Sequence, residues 1–278
     1  MEGFIHHQSV KKVQMSVFRP HRHDVALAMM LIAAGAIIWL GQRAAAYGAG
    51  PTIIAGLPAS APQPKERYEV RAVHDPNGTG RFYMGREIAQ VMGADGMNWL
   101  DRPEREQEER PDVVIDALKL YEGEVVADLG AGSGYYTFRL AKKVGERGKV
   151  LAVDIQAEML ETIRGRAVGL GVTNVKVIQG TETDPHLPAG KVDLVLMVDV
   201  YHELAYPYEI MTKVREALKP GGKVVFVEYR KEDPRVPIKE VHKMSVVQLE
   251  KEMKAVGLTH VRTLETLPWQ HIVIFEKE

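Results

Sequence analysis

The sequence has 278 residues, which is enough for one large domain and additional segments. It carries 36 lysines and arginines against 37 aspartates and glutamates, a balance that gives no basic surface of the kind that binds nucleic acid. Because the sequence contains no cysteine, disulfides, thiolate nucleophiles and cysteine-ligated zinc are excluded.

The amino-terminal region combines a basic tail with a hydrophobic segment. Residues 1–24 are polar and basic, and the next 16 residues, 25–40, carry no charge. A transmembrane helix needs about 17–25 residues, whereas the core of a signal peptide is shorter, about 7–15. Residues 25–43 are therefore interpreted as a membrane anchor. A signal peptide cleaved near residues 44–46 and a soluble helix are the alternatives.

Two further segments precede the main fold. Residues 44–68 are rich in alanine, glycine and proline and are predicted to form a flexible linker. Residues 69–110 are predicted to form a helical extension, with helix expected over 81–110 and a charged, solvated face towards its end. A new helix is expected from Pro111, because proline suits the first turn of a helix.

A strand, a glycine loop and a helix follow one another in residues 125–144. Residues 125–127 are predicted to be a short buried strand, and Gly130, Gly132 and Gly134 allow a tight turn whose N–H groups face a ligand. The next strand, 149–155, contains Asp154 near its end. A carboxylate there can accept hydrogen bonds from ribose hydroxyls, which both NAD and S-adenosylmethionine carry. The pattern thus predicts an adenosine-containing ligand.

Helices and strands are predicted to alternate through the rest of the chain. The last two strands are close enough in sequence to pair as an antiparallel hairpin. The predicted helices are 157–168, 207–218 and 245–256, and the predicted strands are 175–179, 192–198, 223–229, 261–264 and 272–275.

Several ordered motifs resemble those of class I S-adenosylmethionine-dependent methyltransferases. Residues 128–134, Asp-Leu-Gly-Ala-Gly-Ser-Gly, and residues 153–155, Val-Asp-Ile, resemble the first two motifs of that family. Gly180-Thr-Glu, the strand 192–199 and residues 218–222, Leu-Lys-Pro-Gly-Gly, follow in the family's order. The resemblance spans residues 111–278. It implies an α/β, doubly wound, mostly parallel sheet of seven strands, in the order 3-2-1-4-5-7-6 with a terminal antiparallel hairpin.

The same resemblance implies that S-adenosylmethionine is the cofactor and that its site lies at the carboxyl ends of the strands. Thr181 departs from the acidic or amide residue often found at its position, so Glu182 is the alternative contact to the adenine edge. The implied cofactor residues are Asp128, Gly130, Gly132, Gly134, Asp154, Ile155, Thr181, Glu182 and Asp199.

Candidates for the chemistry lie after the fourth strand of the sheet. His202 is a possible base, because imidazole changes protonation near neutral pH, although it could equally order a loop. Tyr201 is a weaker candidate. No metal site is predicted, because His202, Glu203 and His242 lack a short ligand spacing. Acceptor-pocket candidates are Tyr229, Arg230 and His242, and lid candidates are Tyr83 and Arg86.

The function predicted from these features is in-line methyl transfer to a small-molecule or lipid-like acceptor. A non-catalytic S-adenosylmethionine-binding protein and an NAD-dependent oxidoreductase are the alternatives, the latter disfavoured by the G-x-G-x-G glycine spacing. The charges around residues 25–43 favour a catalytic domain outside the cytoplasm, whereas the cofactor is cytoplasmic. We expect membrane association with the domain on the cytoplasmic side. Export after signal cleavage is the alternative, and the oligomeric state is left open.

Overall fold

A computed structural model describes residues 67–278, which form ten strands and seven α-helices. The strands are β1 (Tyr68–Val70), β2 (Gly78–Tyr83), β3 (Arg86–Ala89), β4 (Val125–Leu129), β5 (Lys149–Asp154), β6 (Val175–Gln179), β7 (Val192–Val198), β8 (Leu218–Tyr229), β9 (Thr259–Leu264) and β10 (Gln270–Glu276). The helices are α1 (Met97–Leu100), α2 (Arg105–Glu108), α3 (Pro111–Ala117), α4 (Thr137–Val144), α5 (Ala157–Leu170), α6 (Pro207–Ala217) and α7 (Val246–Ala255).

Seven of the strands form one sheet in the order β6-β5-β4-β7-β8-β10-β9. The strands from β4 to β8 are parallel, and β10 is antiparallel to both of its neighbours. Counted within this sheet, the order is 3-2-1-4-5-7-6, so the predicted α/β fold with its terminal hairpin is confirmed. The order reverses at β4, and open α/β sheets bind ligands beside such a reversal.

Both faces of the sheet are buried, because helices cover a parallel sheet on each side. Side chains that alternate along each strand therefore enter two different cores. Ala127, Val195 and Phe226 belong to the core on one face. On the opposite face, Val126, Leu196 and Val225 pack with helices α3 and α4. This explains why the central strands are continuously apolar in sequence.

The prediction of helix over residues 81–89 is wrong, because β2 and β3 lie there in a small antiparallel sheet with β1. Met84 and Gly85 join β2 to β3, and their φ angles of 49° and 95° are those of a two-residue hairpin turn. Phe82 and Ile88 are buried, as expected for strands with one covered face. What remains of the helical extension predicted for 69–110 is α1 and α2, of four residues each, and a 3₁₀ turn, Ala94–Gly96.

The basic tail 1–24, the hydrophobic segment 25–43 and almost all of the linker 44–68 lie outside the described residues. The interpretations of these segments stay predictions. Within residues 67–278, no helix combines the length and the apolar character that crossing a membrane requires.

Candidate active site

A cavity of about 630 Å³ opens at the carboxyl ends of β4, β5 and β7. Its walls are the glycine loop after β4, the end of β5, the turns after β6 and β7, and the segment 91–109. Eight of the nine predicted cofactor residues line it, and Gly134 does not. The eight are Asp128, Gly130, Gly132, Asp154, Ile155, Thr181, Glu182 and Asp199.

The glycine loop has a backbone that side chains would not tolerate. Gly130 and Gly132 have φ angles of 75° and 54°, in the left-handed region that favours glycine. A β-carbon on Gly130 would lie 2.4 Å from Cγ2 of Val200, and one on Gly132 would lie 2.9 Å from Cδ1 of Leu100. Gly134 instead packs against the Phe138 ring, so it shapes the loop without facing the cavity.

Asp154 at the end of β5 ties the loop to the start of α5. Its Oδ2 accepts a hydrogen bond from the N–H of Gly132, and its Oδ1 accepts one from the N–H of Gln156, each at 2.9 Å. Burial raises the pKa of this carboxyl, whose residue is only 8% exposed. Asp154 lines the cavity together with Gly132 and Ile155.

Two other buried carboxyls line the same cavity. Oδ2 of Asp128 accepts a hydrogen bond from the Thr137 hydroxyl at 2.6 Å, and burial raises the pKa of Asp128 to about 6. Asp199 has a φ of 52°, and its Oδ2 accepts from Nε2 of Gln270 at 2.7 Å. Burial and the charge of Glu109 raise the pKa of Asp199 well above its usual value.

Asp199 has one feature that indicates a ligand contact. Its Oδ1 is buried and has no hydrogen-bond partner within residues 67–278. Buried carboxylate oxygens are normally paired, and strained backbone at a cavity wall is often associated with function. A ligand group that carries N–H donors or positive charge would satisfy this oxygen.

The wall beyond Asp154 offers one apolar and two polar residues. Ile155 is 42% exposed and presents its side chain at the cavity. The Thr181 hydroxyl accepts hydrogen bonds from the N–H groups of Thr183 and Asp184, at 3.3 and 3.0 Å. Because this hydroxyl already accepts hydrogen bonds within its own turn, Glu182 is the predicted adenine contact that is more available to a ligand.

His202 lies on a 3₁₀ turn, Tyr201–Glu203, directly after β7. Its Nδ1 is 2.6 Å from Oε2 of Glu228, a fully buried residue near the end of β8. The carboxylate accepts the Nδ1 proton, which leaves Nε2 as the lone-pair nitrogen. The other oxygen of Glu228 accepts from the N–H of Tyr201 at 2.8 Å, so one carboxylate positions both the turn and the ring.

The structure places Tyr201, the second catalytic candidate, away from the cavity. Its side chain is fully buried and does not line the cavity. The hydroxyl donates to Oε2 of Glu252 at 2.6 Å, and the same carboxylate pairs with Arg86 through two hydrogen bonds of 2.9 and 3.1 Å. Tyr201 thus belongs to a buried network that holds β3 against α7.

Glu203 and His242 lie next to the His202 ring. Nδ1 of His242 is 3.2 Å from Nε2 of His202 and 3.6 Å from Oε1 of Glu203. Burial raises the pKa of Glu203 to about 7, and burial with the neighbouring His202 lowers the pKa of His242 to about 4. All three residues line the cavity, although their spacing in the sequence does not predict that they lie close together.

Of the residues predicted for the acceptor pocket and the lid, three do not line the cavity: Arg230, Tyr83 and Arg86. Tyr229 and His242 line the cavity, but Arg230 does not, because its guanidinium donates to the carbonyls of Leu267 and Gln270 at 2.9 and 2.7 Å. The lid candidates Tyr83 and Arg86 are buried away from the cavity. The segment after them supplies that wall, through Val91, Met92, Trp99, Leu100, Arg102, Arg105 and Glu109.

Residues 120–272 match the protein family described as "Methyltransferase domain". The chain belongs to this methyltransferase family. A solved structure of an S-adenosylmethionine-dependent methyltransferase from Aquifex aeolicus is similar, with a TM-score of 0.64 and 28% identity over 68% of this chain and 100% of that one.

Two curated relatives each match about two fifths of this methyltransferase. The protein-L-isoaspartate O-methyltransferase of Methanococcus aeolicus is 35% identical over 113 residues, which are 41% of this chain and 50% of the relative. The ubiquinone/menaquinone biosynthesis C-methyltransferase of Escherichia fergusonii is 29% identical over 118 residues, which are 42% of this chain and 47% of the relative. The chain thus spans about half the length of these relatives.

The methyltransferase uses S-adenosylmethionine, as its family and similar proteins do. The cavity residues fit this cofactor chemically. Asp154 presents carboxylate oxygens suited to ribose hydroxyls, and the unpartnered Oδ1 of Asp199 suits a cofactor that carries positive charge. The predicted enzyme class and cofactor are confirmed, and the NAD-dependent alternative is set aside.

Glu228, the carboxylate that positions His202, is not among the residues predicted from the sequence. A signal for it exists, since Glu228 is the single charged residue in the run Val-Val-Phe-Val-Glu-Tyr, residues 224–229. A carboxylate inside an apolar central strand must find a buried partner, because an unpaired buried charge is costly. That reasoning predicts a partner at a neighbouring strand end, where the His202 turn lies.

Replacing Asp154 by alanine is expected to weaken the binding of both S-adenosylmethionine and S-adenosylhomocysteine. The loss of hydrogen bonds to a charged group costs about 1.5–3 kcal/mol, which is roughly a 10- to 150-fold rise in Kd. Isothermal titration calorimetry on the full chain measures both affinities.

Glu158→Ala is the matched control, since Glu158 is an exposed carboxylate in the first turn of α5 that does not line the cavity. It should bind both ligands like the parent. Equal affinity of the Asp154→Ala variant and the parent would remove Asp154 from the cofactor site.

Proposed function

We propose that this methyltransferase transfers a methyl group to a small-molecule or lipid-like acceptor that enters the cavity beside His202. The observation that carries the proposal is that His202, whose ring Glu228 orients, lines the same cavity as the glycine loop. A group that handles the acceptor's proton and the loop that would hold the cofactor therefore share one enclosed space.

The proposed cofactor contacts divide among three parts of the cavity. Asp154 would accept hydrogen bonds from the ribose, and Ile155 would cover one face of the adenine. The glycine loop would approach the methionine part, with Asp128 ordering the loop through Thr137 and Asp199 facing positive charge. When bound, S-adenosylmethionine supplies a methyl group on a sulfonium centre, which is open to in-line displacement.

The residues of this chain would then act by positioning the acceptor and promoting loss of its proton. Holding two reactants in line can lower a barrier by several kcal/mol, about 7–11 in the best cases. Glu228 keeps the Nδ1 proton of His202 in place, so that Nε2 presents its lone pair. Surrounding apolar side chains exclude water, which strengthens the electrostatic contacts made there.

The lining of the cavity supports an acceptor with an apolar body. A volume of about 630 Å³ is within the range of small-molecule sites, about 300–1,000 Å³. The apolar and aromatic side chains in its lining include Trp99, Leu100, Tyr136, Tyr229 and Ile238. Near balance of charge over the whole chain argues against a nucleic-acid acceptor.

The test is to incubate the full chain with methyl-labelled S-adenosylmethionine and a cell extract. The label is expected in low-mass compounds that partition into an organic solvent. The same incubation with His202→Ala should leave these products unlabelled. Label found only in the acid-precipitated protein or nucleic acid would contradict the proposed acceptor class.

The proposal includes membrane association through residues 25–43, with the catalytic domain on the cytoplasmic side. Its support is the uncharged run of 16 residues and the cytoplasmic supply of the cofactor. Protease added to intact cells or spheroplasts is expected to leave residues 67–278 uncut, whereas detergent permeabilisation should expose them. Digestion in intact spheroplasts, or release of a processed domain outside, would overturn this placement.

A further inference from the structure

The geometry around His202 points to a binding site for a divalent transition metal, of the zinc type, formed by His202, Glu203 and His242. The first two residues lie on the 3₁₀ turn after β7, and His242 lies on a second 3₁₀ turn, Glu240–His242, after β8. All three side chains line the cavity and offer ligand atoms within 4.8 Å of one another.

The distances between the three ligand atoms fit one metal ion. Nε2 of His202 is 3.2 Å from Nδ1 of His242 and 3.8 Å from Oε1 of Glu203. The third side of this triangle, from Nδ1 of His242 to Oε1 of Glu203, is 3.6 Å. The point equidistant from these three atoms is about 2.1 Å from each, the length of a zinc–nitrogen or zinc–carboxylate bond. An ion can therefore reach all three atoms without movement of the backbone.

A direct hydrogen bond between the two imidazoles accounts for only one side of this triangle. The distances of 3.8 and 3.6 Å from Glu203 Oε1 to the two rings are too long for hydrogen bonds. The other oxygen of Glu203 accepts from the N–H of Met92 at 3.2 Å, which fixes the carboxylate in place. A metal ion explains why the held carboxylate converges on the two ring nitrogens without a hydrogen bond to either.

Glu228 supplies the outer contact that metal-binding histidines commonly have. Its carboxylate accepts the Nδ1 proton of His202 at 2.6 Å, so the tautomer leaves Nε2 free to coordinate. Glu228 is fully buried, and its second oxygen is held by the N–H of Tyr201. The ring is thus fixed by a rigid strand rather than by a mobile surface group.

Three protein ligands beside a cavity leave a coordination position for another molecule, as in catalytic zinc sites. This step rests on the proposed function and narrows its acceptor to a hydroxyl or thiol compound. A metal-bound hydroxyl or thiol loses its proton to water near neutral pH, because the metal lowers its pKa. The resulting oxygen or sulfur anion forms the bond to the methyl carbon while the carbon–sulfonium bond breaks, which leaves neutral S-adenosylhomocysteine. In the metal-loaded protein His202 acts as a ligand.

The test measures metal binding separately from methyl transfer. The full chain, without a polyhistidine tag, is stripped with a chelator and titrated with ZnCl2 by calorimetry, and its metal content is counted by mass spectrometry. About one ion per chain is expected. Binding should weaken at least tenfold in His242→Ala and Glu203→Gln, and about 10- to 100-fold in Glu228→Gln, which keeps the shape of the side chain. Bound cobalt(II) should show the visible absorption typical of a low coordination number, and this absorption should be lost in His242→Ala.

His260→Ala is the matched control, because His260 and Glu250 form an exposed histidine–glutamate pair on another part of the chain. It should bind zinc like the parent. Calorimetry with S-adenosylhomocysteine verifies that each variant is folded.

Zinc binding that is absent, or unchanged in His242→Ala, would overturn the metal site. Full methyl transfer by the chelated protein would overturn the activating role of the metal and leave the proposed function standing. Stoichiometric zinc binding without methyl transfer to any extract component would overturn the proposed function and leave the metal site standing.

Discussion

His202→Ala should lower kcat for methyl transfer by about 10²- to 10⁴-fold, the usual contribution of a group that manages a proton in the transition state. The affinity for S-adenosylmethionine should stay within about twofold of the parent, since the polar contacts of the His202 side chain are with Glu228, Glu203 and His242. Both the base and the ligand role of His202 predict this separation of rate from cofactor binding. Steady-state kinetics with an identified acceptor and calorimetry with the cofactor measure the two quantities.

A control variant separates this effect from a general effect of losing a histidine. His260 is exposed on β9 and does not line the cavity, so His260→Ala should retain the parental kcat. If His202→Ala also retains the parental kcat, His202 orders the loop only, and its part in the proposed function has to be abandoned.

Glu252→Ala should lower the free energy of unfolding by about 3–5 kcal/mol, because it leaves the guanidinium of Arg86 buried without its counter-charge. The side chains of this pair are 7% and 0% exposed. Glu252 also accepts hydrogen bonds from Tyr201 and from Gln248, at 2.6 and 2.7 Å, and the variant would leave the Tyr201 hydroxyl unpaired. Equilibrium unfolding in urea, monitored by circular dichroism, measures the loss.

Two variants test the cause of that loss. Glu216→Ala removes one partner of the exposed pair Lys213–Glu216 and should change the free energy of unfolding by only about 0–1 kcal/mol. The double variant Arg86→Met with Glu252→Leu should recover most of the stability, since no uncompensated charge is then buried. If Glu252→Ala costs no more than Glu216→Ala, the buried network does not contribute to stability as described.

The large sheet could be predicted because its determinants are local in sequence. Continuous apolar runs such as 192–198 indicate strands covered on both faces, and glycines with positive φ mark the loop after β4. The secondary structure of residues 81–89 was harder to predict, because each strand of the small sheet has few residues. A short alternation of apolar residues also fits one face of a helix. The Met84–Gly85 turn was the available signal, but methionine rarely adopts positive φ, so it did not suggest a hairpin.

The candidate site was predictable where one strand end carries the residues, as with Asp154 and Ile155. It was not predictable where side chains from distant strands meet. Residues 202, 228 and 242 are brought together only by the parallel pairing of β7 with β8 and by the turn after β8. Whether Arg230 points into the cavity or caps carbonyls before β10 likewise depends on the rotamer and on packing, which periodicity does not report.

The buried pair Arg86–Glu252 also affects how the protein can be divided or recombined. The recognisable family match begins at residue 120, yet Arg86 on β3 donates to the carbonyl of His202 at 3.2 Å and neutralises a carboxylate on α7. A truncated protein that begins where the family match begins would leave the Glu252 carboxylate without Arg86 and lose the cavity wall formed by residues 91–109. A chimera that keeps residues 67–110 together with the turn after β7 and α7 preserves these contacts, so exchange between homologues should move those parts as one unit.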